Sequence, residues 1–202
     1  GGDYLASIGG FDTTVRIWSK TGDPGPVLEN CGYPVLAAGF SADSRHLVTV
    51  GDSAIRQWTI GGRPGPALIT DCTVASVDCA PEGNLVAVGS SDRNVSLWRT
   101  DGTPVALLKG HEKPITRVGW SPTGELLAAR DDGDAIRIWN SQGVSGATLV
   151  GGTRDFAWSP DGQHIATGAG QNAIRIWSAS GARKADAHIA DVRGVDWSPD
   201  GN

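Results

Sequence analysis

The 202-residue sequence lacks methionine, long apolar runs and any recognisable leader. Its apolar stretches are four to six residues long, whereas a membrane-spanning helix needs about 20 residues. We therefore expect no membrane partner and a cytoplasmic location. Because the initiator methionine is missing, we expect a processed product or an excerpt of a longer chain.

Cysteines and positive charges are also few. Cys31, Cys72 and Cys79 form no CxxC pair, and an odd number fits no complete disulfide framework. We interpret them as reduced, small hydrophobic residues. The 17 Lys and Arg residues stand against 22 Asp and Glu, which gives a net charge of -5. Nucleic-acid binding needs a concentration of positive charge, so we expect no nucleic-acid partner.

Motifs for catalysis and for cofactors are absent too. The sequence has no nucleophile elbow, phosphate-binding loop or triad spacing, and its four histidines form no HxH, HExxH or Cys–His cluster. We therefore predict no enzyme activity, no catalytic residues, no cofactor and no metal site. Asp131, Asp132 and Asp134 could share a proton or bind a cation, but a polar turn is the plainer interpretation.

What the sequence does contain is a repeat of about 40 residues. A ten-residue motif, in which an alternating apolar segment ends on tryptophan, recurs at spacings of 40, 40, 41 and 38 residues. Its five copies are TTVRIWSKTG at Trp18, SAIRQWTIGG at Trp58, RNVSLWRTDG at Trp98, DAIRIWNSQG at Trp139 and NAIRIWSASG at Trp177. A second phrase, followed by an SPDG-like turn, recurs between them at Phe40, Cys79, Trp120, Trp158 and Trp197. Two registers with one period make chance a poor explanation.

Each period contains the pattern of four short strands. In the fourth copy, alternation and turn residues predict strands at 115–120, 125–129, 135–140 and 147–150. Because so small an antiparallel sheet cannot bury both faces alone, the copies must stack, and a ring leaves no face exposed. The pattern predicts an all-β fold, a β-propeller of five four-stranded antiparallel blades.

The repeat resembles the WD-repeat family, whose units carry a GH pair, an SPDG turn and a terminal W-D. The resemblance covers the whole chain in its period, turns and tryptophans. It departs in the dipeptides, because none of the five tryptophans precedes Asp and GH occurs once, at Gly110-His111. The resemblance implies a non-enzymatic scaffold that binds a protein or peptide partner.

The two chain ends carry parts of one blade. The chain starts in a second strand and ends after an inner strand at 192–197. We predict a single propeller over residues 1–202, closed when this inner strand joins the three-stranded N-terminal unit. Its blade units are 1–30 plus 192–202, 31–71, 72–111, 112–151 and 152–191. A closed five-bladed monomer, a homo-oligomer formed by strand exchange at this seam, and an excerpt of a larger ring are the alternatives. Rings of the WD family usually have seven or eight blades.

WD-repeat blades also carry a buried hydrogen-bond chain of His, Ser or Thr, Asp and Trp. His188 lies four residues before Val192, which is the family spacing. The resemblance implies that Ser7, Asp12 and Trp18, from the opposite terminus, complete the network of His188. We therefore expect the best-equipped network at the seam, where closure most needs reinforcement.

The fourth unit shows the same histidine spacing at His111. Ala129 stands at its hydroxyl position, and an insertion displaces the family's Asp to Asp132 or Asp134. We therefore expect an incomplete network in this unit.

The tryptophans raise a second functional hypothesis, a carbohydrate-binding, lectin-like or glycosidase-like five-bladed propeller. It predicts one pocket recurring in every unit, or two channel carboxylates at a suitable separation. Because the tryptophans recur at two fixed strand positions, packing between blades is the plainer interpretation. Aromatic residues that do not repeat are better candidates for an exposed site. They are Phe11, Tyr33 and Phe156, of which Phe156 also suits the core.

Loops that precede inner strands and loops between second and third strands lie on one face of a propeller. Arg and aromatic residues are common anchors of protein interfaces, and this face would be rich in them. We predict that it binds a peptide or an acidic protein surface. The predicted partner-binding residues are Phe11, Tyr33, Arg93, Lys113, Arg130, Arg154 and Arg193.

Overall fold

The computed structural model describes most of the chain as β-structure. The residues outside the description are 1–2, 10–12, 32–33, 42–43, 52–53, 70–71, 82–84, 101, 152, 170–172, 189–191, 193 and 202, together with the side chains of 37, 66, 68–69, 153–154 and 169. The described residues form 19 strands, and they include no helix long and apolar enough to cross a membrane.

The strands form five antiparallel sheets, each a simple meander. Sheet 1 has three strands, β1 (Tyr4–Ile8), β2 (Val15–Ser19) and β3 (Pro24–Leu28). Sheet 2 consists of β4 (Val35–Phe40), β5 (His46–Gly51), β6 (Ala54–Thr59) and β7 (Pro64–Ile69). Sheet 3 consists of β8 (Val74–Cys79), β9 (Leu85–Ser90), β10 (Val95–Arg99) and β11 (Pro104–Leu108). Sheet 4 consists of β12 (Ile115–Trp120), β13 (Leu126–Asp131), β14 (Ala135–Asn140) and β15 (Ser145–Val150). Sheet 5 consists of β16 (Thr153–Trp158), β17 (His164–Ala169), β18 (Ala173–Ser178) and β19 (Arg183–His188).

The predicted all-β class and the four-stranded antiparallel units are confirmed. In sheet 4 the first and third strands match the predicted bounds, and the second and fourth differ by one or two residues at their ends. The turn after the first strand bends through Gly124, whose φ of 71° suits a residue without a β-carbon. Local alternation and turn chemistry therefore place these strands.

Each sheet packs face to face against the next one along the chain. Ile136 and Ile138 of sheet 4 are 0 and 1% exposed and form one buried cluster with Phe156, Trp158 and Trp177 of sheet 5. Three equivalent clusters join sheets 1 and 2, sheets 2 and 3, and sheets 3 and 4. Burying an aliphatic side chain of this size contributes roughly 1.5–3 kcal/mol, so these contacts supply the core that one sheet cannot form alone.

Inner strands of neighbouring sheets are tied together by side chains. Asp78 Oδ2 in β8 accepts a hydrogen bond from the Trp120 backbone N–H in β12, at 2.8 Å. Trp158 Nε1 in β16 donates to the Gly119 carbonyl in β12, at 3.0 Å. The inner-strand tryptophan thus bonds to the backbone of the preceding sheet as well as filling the core.

The C-terminal segment, residues 194–201, continues this arrangement but is not a strand. Trp197 Nε1 donates to the Ala157 carbonyl at 3.1 Å, the relation that Trp158 has to Gly119. The predicted inner strand at 192–197 is wrong, because none of its described residues is paired in a sheet and sheet 1 has three strands. The structure therefore does not show the predicted closure of the ring. A strand exists only where a second strand accepts its hydrogen bonds, and β1 is not paired with this segment.

Candidate functional site

Two kinds of loop lie together at one end of the sheets. In sheet 4 the Asp132 N–H, between β13 and β14, donates to the Pro114 carbonyl before β12, at 2.9 Å. In sheet 3 the Ser91 N–H, between β9 and β10, donates to the Thr73 carbonyl before β8, at 2.8 Å. We call the surface formed by residues 91–94, 109–114 and 131–134 the loop face.

Two of the predicted binding residues are exposed on the loop face. Arg93 lies in the turn before β10 with a positive φ of 71°, and Lys113 lies in the loop before β12. A β-carbon built at Gly133 would lie 2.9 Å from Lys113 Cγ. The lysine stem therefore runs across the neighbouring turn, and a β-carbon at position 133 would displace it.

Arg130, near the end of β13, adjoins the loop face but is largely buried, with 15% of its side chain exposed. Its Nη2 donates to Asp134 Oδ1 at 2.7 Å and its Nη1 donates to Thr116 Oγ1 at 2.8 Å. The guanidinium therefore ties the β13–β14 turn to the inner strand, and it offers a partner less surface than Lys113 does.

The remaining predicted binding residues cannot be placed in the same way. Phe11, Tyr33 and Arg193 lie outside the described residues, and Arg154 lies in β16 with its side chain outside the description. Their presence on the loop face stays a prediction. Phe156, the third non-repeating aromatic residue, is a core residue with 1% exposure.

A surface cavity of about 310 Å³ lies between the two loops of sheet 4. Glu112, Lys113, Asp131, Gly133 and Arg137 are among its lining residues. Because both signs of charge face one opening, the cavity suits a polar segment that presents donors and acceptors. The described residues contain no group of three or more His, Cys, Asp or Glu side chains that could hold a metal ion.

Beneath the loop face, His111 and Asp131 form a buried pair. His111 Nδ1 lies 2.8 Å from Asp131 Oδ2, and the two side chains are 1 and 4% exposed. The predicted partner, Asp132 or Asp134, is wrong, because Asp134 binds Arg130 instead and Asp131 ends β13 with its carboxylate directed inward. Burial lowers the pKa of His111 against the opposing effect of Asp131, so the imidazole is neutral at pH 7.

The tryptophan half of the network is found in other sheets. The second-strand hydroxyl accepts the indole N–H at 2.9 to 3.0 Å in three pairs: Ser7 with Trp18, Thr49 with Trp58, and Thr167 with Trp177. In sheet 3, Val88 occupies the hydroxyl position, and Trp98 donates to Ser96 on its own strand at 2.8 Å. No described sheet contains all four members of the network.

Cys31 stands at the histidine position of sheet 2, four residues before Val35. It is fully buried, and its Sγ donates to the Leu28 carbonyl at 3.3 Å. Burial raises the pKa of the thiol, and a hydrogen bond with Thr49 opposes that shift. A thiol therefore replaces the imidazole beside the Thr49–Trp58 pair.

The network predicted at the seam is present in part. The Ser7–Trp18 hydrogen bond is formed, whereas Asp12 lies outside the described residues. His188 ends β19 opposite Ala173 and is exposed. Its contact with Ser7 and Trp18 stays a prediction.

Charged residues that sequence reasoning missed lie on the inner strands. Arg117 of β12 is paired with Asp155 of β16 and has its guanidinium carbon 4.9 Å from the centre of the Phe156 ring. Burial raises the pKa of Asp78, and burial together with Asp78 raises the pKa of Cys79 to about 12. The alternation of inner-strand residues did not mark these positions, because charge pairing between different sheets leaves no local pattern.

Five of the eight tryptophans are buried packing residues. Trp58, Trp120, Trp139, Trp158 and Trp177 are each 9% exposed or less. Their ring faces are therefore unavailable for stacking on a sugar, and they lend no support to the carbohydrate-binding alternative.

Stacked four-stranded antiparallel sheets joined by recurring tryptophans define a β-propeller repeat protein. The family model of the anaphase-promoting complex subunit 4 WD40 domain matches residues 77–150, and that of the WD domain, G-beta repeat, matches residues 145–178. Both models describe WD repeats, which confirms the resemblance to the WD-repeat family that the repeat predicts.

Named relatives agree with this resemblance. The chain is 31% identical over 132 residues to an intraflagellar transport protein 80 homolog of Rattus norvegicus, covering 63% of this chain and 16% of the relative. It is 29% identical over 133 residues to transcription initiation factor TFIID subunit 5 of Caenorhabditis elegans, covering 64% of this chain and 20% of the relative. It is 30% identical over 137 residues to the transcriptional corepressor LEUNIG_HOMOLOG of Arabidopsis thaliana, covering 64% of this chain and 17% of the relative. The chain thus spans a fifth or less of these relatives.

Proposed function

We propose that the chain is a non-enzymatic scaffold whose loop face binds a peptide or protein surface. The observation that carries the proposal is the pair of exposed cations on the loop face, Arg93 and Lys113, of which Lys113 lines the cavity of about 310 Å³. The sheets beneath them are held by buried clusters, so the loops are displayed on a rigid base. Rigid display lowers the entropy lost when a partner binds.

We propose that acidic groups of the partner pair with the exposed cations of the loop face, which also exposes Asp92, Glu112 and Asp132. Lys113 and Arg93 are exposed, whereas Arg130 and Asp134 neutralise each other. A carboxylate-bearing segment could pair with the two exposed cations and steer the encounter. Resemblance to the WD-repeat family, with relatives named as an intraflagellar transport protein and a subunit of transcription initiation factor TFIID, supports a protein partner.

The partner is first identified by cross-linking the chain in cells and sequencing the bound protein, and its affinity is then measured by calorimetry. Lys113→Glu and Arg93→Glu should each weaken binding by about tenfold, because a reversed charge repels an acidic surface. Arg99→Glu is the matched control, since Arg99 is exposed at the opposite end of β10. If Arg99→Glu weakens binding as much as the other two, the loop face is not the binding site.

The proposed function also includes an oligomeric state, a location in the cell and the absence of two classes of partner. We propose that the chain also forms a homo-oligomer by exchange at the terminal seam and acts in the cytoplasm without nucleic-acid or membrane partners. Its described cysteines form no disulfide, which is typical of a reducing compartment. A fluorescent fusion imaged in cells tests the location, and a nuclear or ciliary signal would overturn it.

A further inference from the structure

The third strand of sheet 4 carries an arginine, Arg137, that lines the cavity of about 310 Å³. Its guanidinium lies against Gly110, since a β-carbon built there would come within 3.1 Å of Arg137 Nη1. Arg137 is half-buried, yet its guanidinium forms no ion pair or hydrogen bond with any described residue. A cation that is partly removed from water without a paired anion is unfavourable, so the site favours a group that supplies one.

Two carboxylates line the same cavity without pairing with Arg137. Asp131 Oδ1 accepts hydrogen bonds from two backbone N–H groups of the following turn, each at 3.0 Å, and its Oδ2 lies 2.8 Å from His111 Nδ1. Glu112 is exposed and forms no ion pair with a described residue. The carboxylates that line the cavity therefore leave the guanidinium of Arg137 available.

Sheet 5 shows which group faces the equivalent arginine elsewhere in this molecule. Arg175 lies opposite Asp186 in the β18–β19 register, as Arg137 lies opposite Thr148 in the β14–β15 register. Arg175 Nε lies 3.9 Å from Asp186 Oδ1, and its Nη1 donates to the Gly151 carbonyl. Sheet 4 thus has a hydroxyl where sheet 5 has a carboxylate.

Sheet 2 also has a carboxylate beside its third-strand arginine. Arg56 and Glu29 line one cavity of about 290 Å³. Glu29 lies two residues before Cys31, and Lys109 has the same place before His111 in the loop that leads into sheet 4. Lys109 is exposed, so a cation replaces the anion. Of these three sheets, sheet 4 alone has a carboxylate at neither position.

We propose that the cavity in sheet 4 binds one carboxylate side chain, an Asp or a Glu, of the acidic partner, with Arg137 as its bidentate donor. Guanidinium and carboxylate groups pair in this planar geometry more strongly than neutral groups do. Lys113 lines the same cavity and adds a second positive charge, and the Thr148 hydroxyl lies on its wall. The inference rests on the proposed function, because it names the group that the loop face takes from its partner.

The position and size of the cavity suit a single side chain. Sheet 4 packs against sheet 3 on one face and against sheet 5 on the other, so the walls of the cavity are held on both sides. Sites for small ligands usually measure about 300–1,000 Å³, and 310 Å³ lies at the lower end. Val150 also lines the cavity and is 69% exposed, so it can contact the methylene groups that precede a carboxylate.

The first test titrates the full chain with acetyl-glutamate methylamide and follows the backbone N–H signals of Gly110 and Gly133, which line the cavity, by nuclear magnetic resonance. Acetyl-glutamine methylamide, with sodium chloride added to equal ionic strength, is the matched probe. The glutamate probe should shift both signals with a dissociation constant on the order of millimolar, and the glutamine probe should not. No shift at about 50 mM, an equal shift with both probes, or a response to acetyl-phosphoserine methylamide alone overturns the proposal.

The second test removes the guanidinium. Arg137→Gln should weaken binding of the glutamate probe at least about tenfold, because the charge-assisted hydrogen bonds are lost. Arg16→Gln is the matched control, since Arg16 is the exposed arginine at the equivalent strand position of sheet 1, and it should bind the probe as the wild type does. Unchanged binding in Arg137→Gln overturns the proposal.

The third test supplies the carboxylate from the chain itself. Thr148→Asp places a carboxylate opposite Arg137, as sheet 5 has opposite its own arginine, and should weaken the glutamate probe at least about tenfold by occupying the guanidinium. Ser145→Asp adds the same charge at the other, exposed end of β15 and should leave the affinity unchanged. If both variants bind the probe like the wild type, Arg137 is not its donor.

Failure of the proposed function and failure of the carboxylate site give different results. Arg93→Glu should weaken the partner but not the glutamate probe, since Arg93 lies in the turn before β10 of sheet 3. If Arg93→Glu and Lys113→Glu leave the affinity for the partner unchanged while the probe binds the wild type, the proposed function fails and the carboxylate site stands. If both variants weaken the partner and the probe does not bind, the carboxylate site fails alone. Far-ultraviolet circular dichroism checks that each variant is folded.

Discussion

His111 Nδ1 and Asp131 Oδ2 lie 2.8 Å apart inside sheet 4, while His111 Nε2 is buried with no hydrogen-bonding partner among the described residues. Ala129 stands where three other sheets carry a hydroxyl that bonds to tryptophan, and Trp139 lies beside the imidazole with ring centres 5.6 Å apart. Because Ala129 has no hydroxyl, no side chain at this position links the imidazole of His111 to the indole N–H of Trp139.

Ala129→Ser should stabilise the chain by about 1 kcal/mol, because its hydroxyl can bond to His111 Nε2 and accept from Trp139. The free energy of unfolding is measured in urea. Ala128→Ser is the matched control: Ala128 is equally buried but faces the sheet 5 interface, where an unpaired hydroxyl destabilises. Equal losses in the two variants would contradict the proposed geometry.

Stability should fall on acidification because of His111. Burial lowers its pKa in the folded chain below the ordinary value of 6.5, so below about pH 6.5 the unfolded chain binds a proton that the folded chain does not. The stabilising contribution is therefore complete above that value and is lost as the pH falls, by up to about 1.4 kcal/mol per pH unit.

Urea unfolding between pH 7.5 and 5.5 measures this slope. His111→Gln should flatten it, whereas His188→Gln should preserve it, because His188 is exposed. A wild-type slope unchanged in His111→Gln would show that another group titrates.

Ser96 and Val88 form a pair for a double-mutant test in sheet 3. Ser96→Ala removes the acceptor of Trp98 Nε1 and should cost about 1 kcal/mol. Val88→Thr places a hydroxyl at the position that Thr49 occupies beside Trp58, so it should restore most of that loss in the Ser96→Ala chain. Urea unfolding of the wild type, the two single variants and the double variant gives the coupling energy between the two positions. If the two changes in unfolding free energy simply add, the two hydroxyls do not serve the same indole N–H.

The three thiols should differ in reactivity. Burial and Asp78 raise the pKa of Cys79 to about 12, and burial raises that of Cys31, so their thiolate fractions at pH 7.5 are small. Cys72 and Cys79 are both partly exposed, but the raised pKa of Cys79 should leave Cys72 to react first with a disulfide reagent, with the other two at least about tenfold slower. In urea all three should react alike; rapid labelling of Cys79 in the folded chain would contradict its raised pKa.

Much of the fold was predictable because its cause is local. Alternating side chains and turn residues recur every 40 residues or so, and strands of sheet 4 lie within two residues of their predicted bounds. The strand predicted at 192–197 is wrong for a different reason. Its side chains suit a strand, but β-structure also needs a paired neighbour, and β1 is not paired with it.

The site was less predictable because its residues act through partners far apart in the sequence. Lys113 and Arg93 are exposed on loops, and their role in binding a partner stays a prediction. Arg130 has the same predicted role, but Thr116 and Asp134 bind its guanidinium. Arg117 and Asp155 form an ion pair between two sheets, and no spacing in the sequence predicts that pair.

The sequence by itself determined the period, the strands and the positions of the tryptophans, because these follow from alternation, turn geometry and repetition along the chain. Tertiary structure determined which hydrogen-bond partner each buried polar group has. His111 pairs with Asp131, Trp98 donates to Ser96, and Arg130 binds Thr116 and Asp134. Such outcomes depend on distances between separate strands and sheets, and those distances exist only once the sheets have packed.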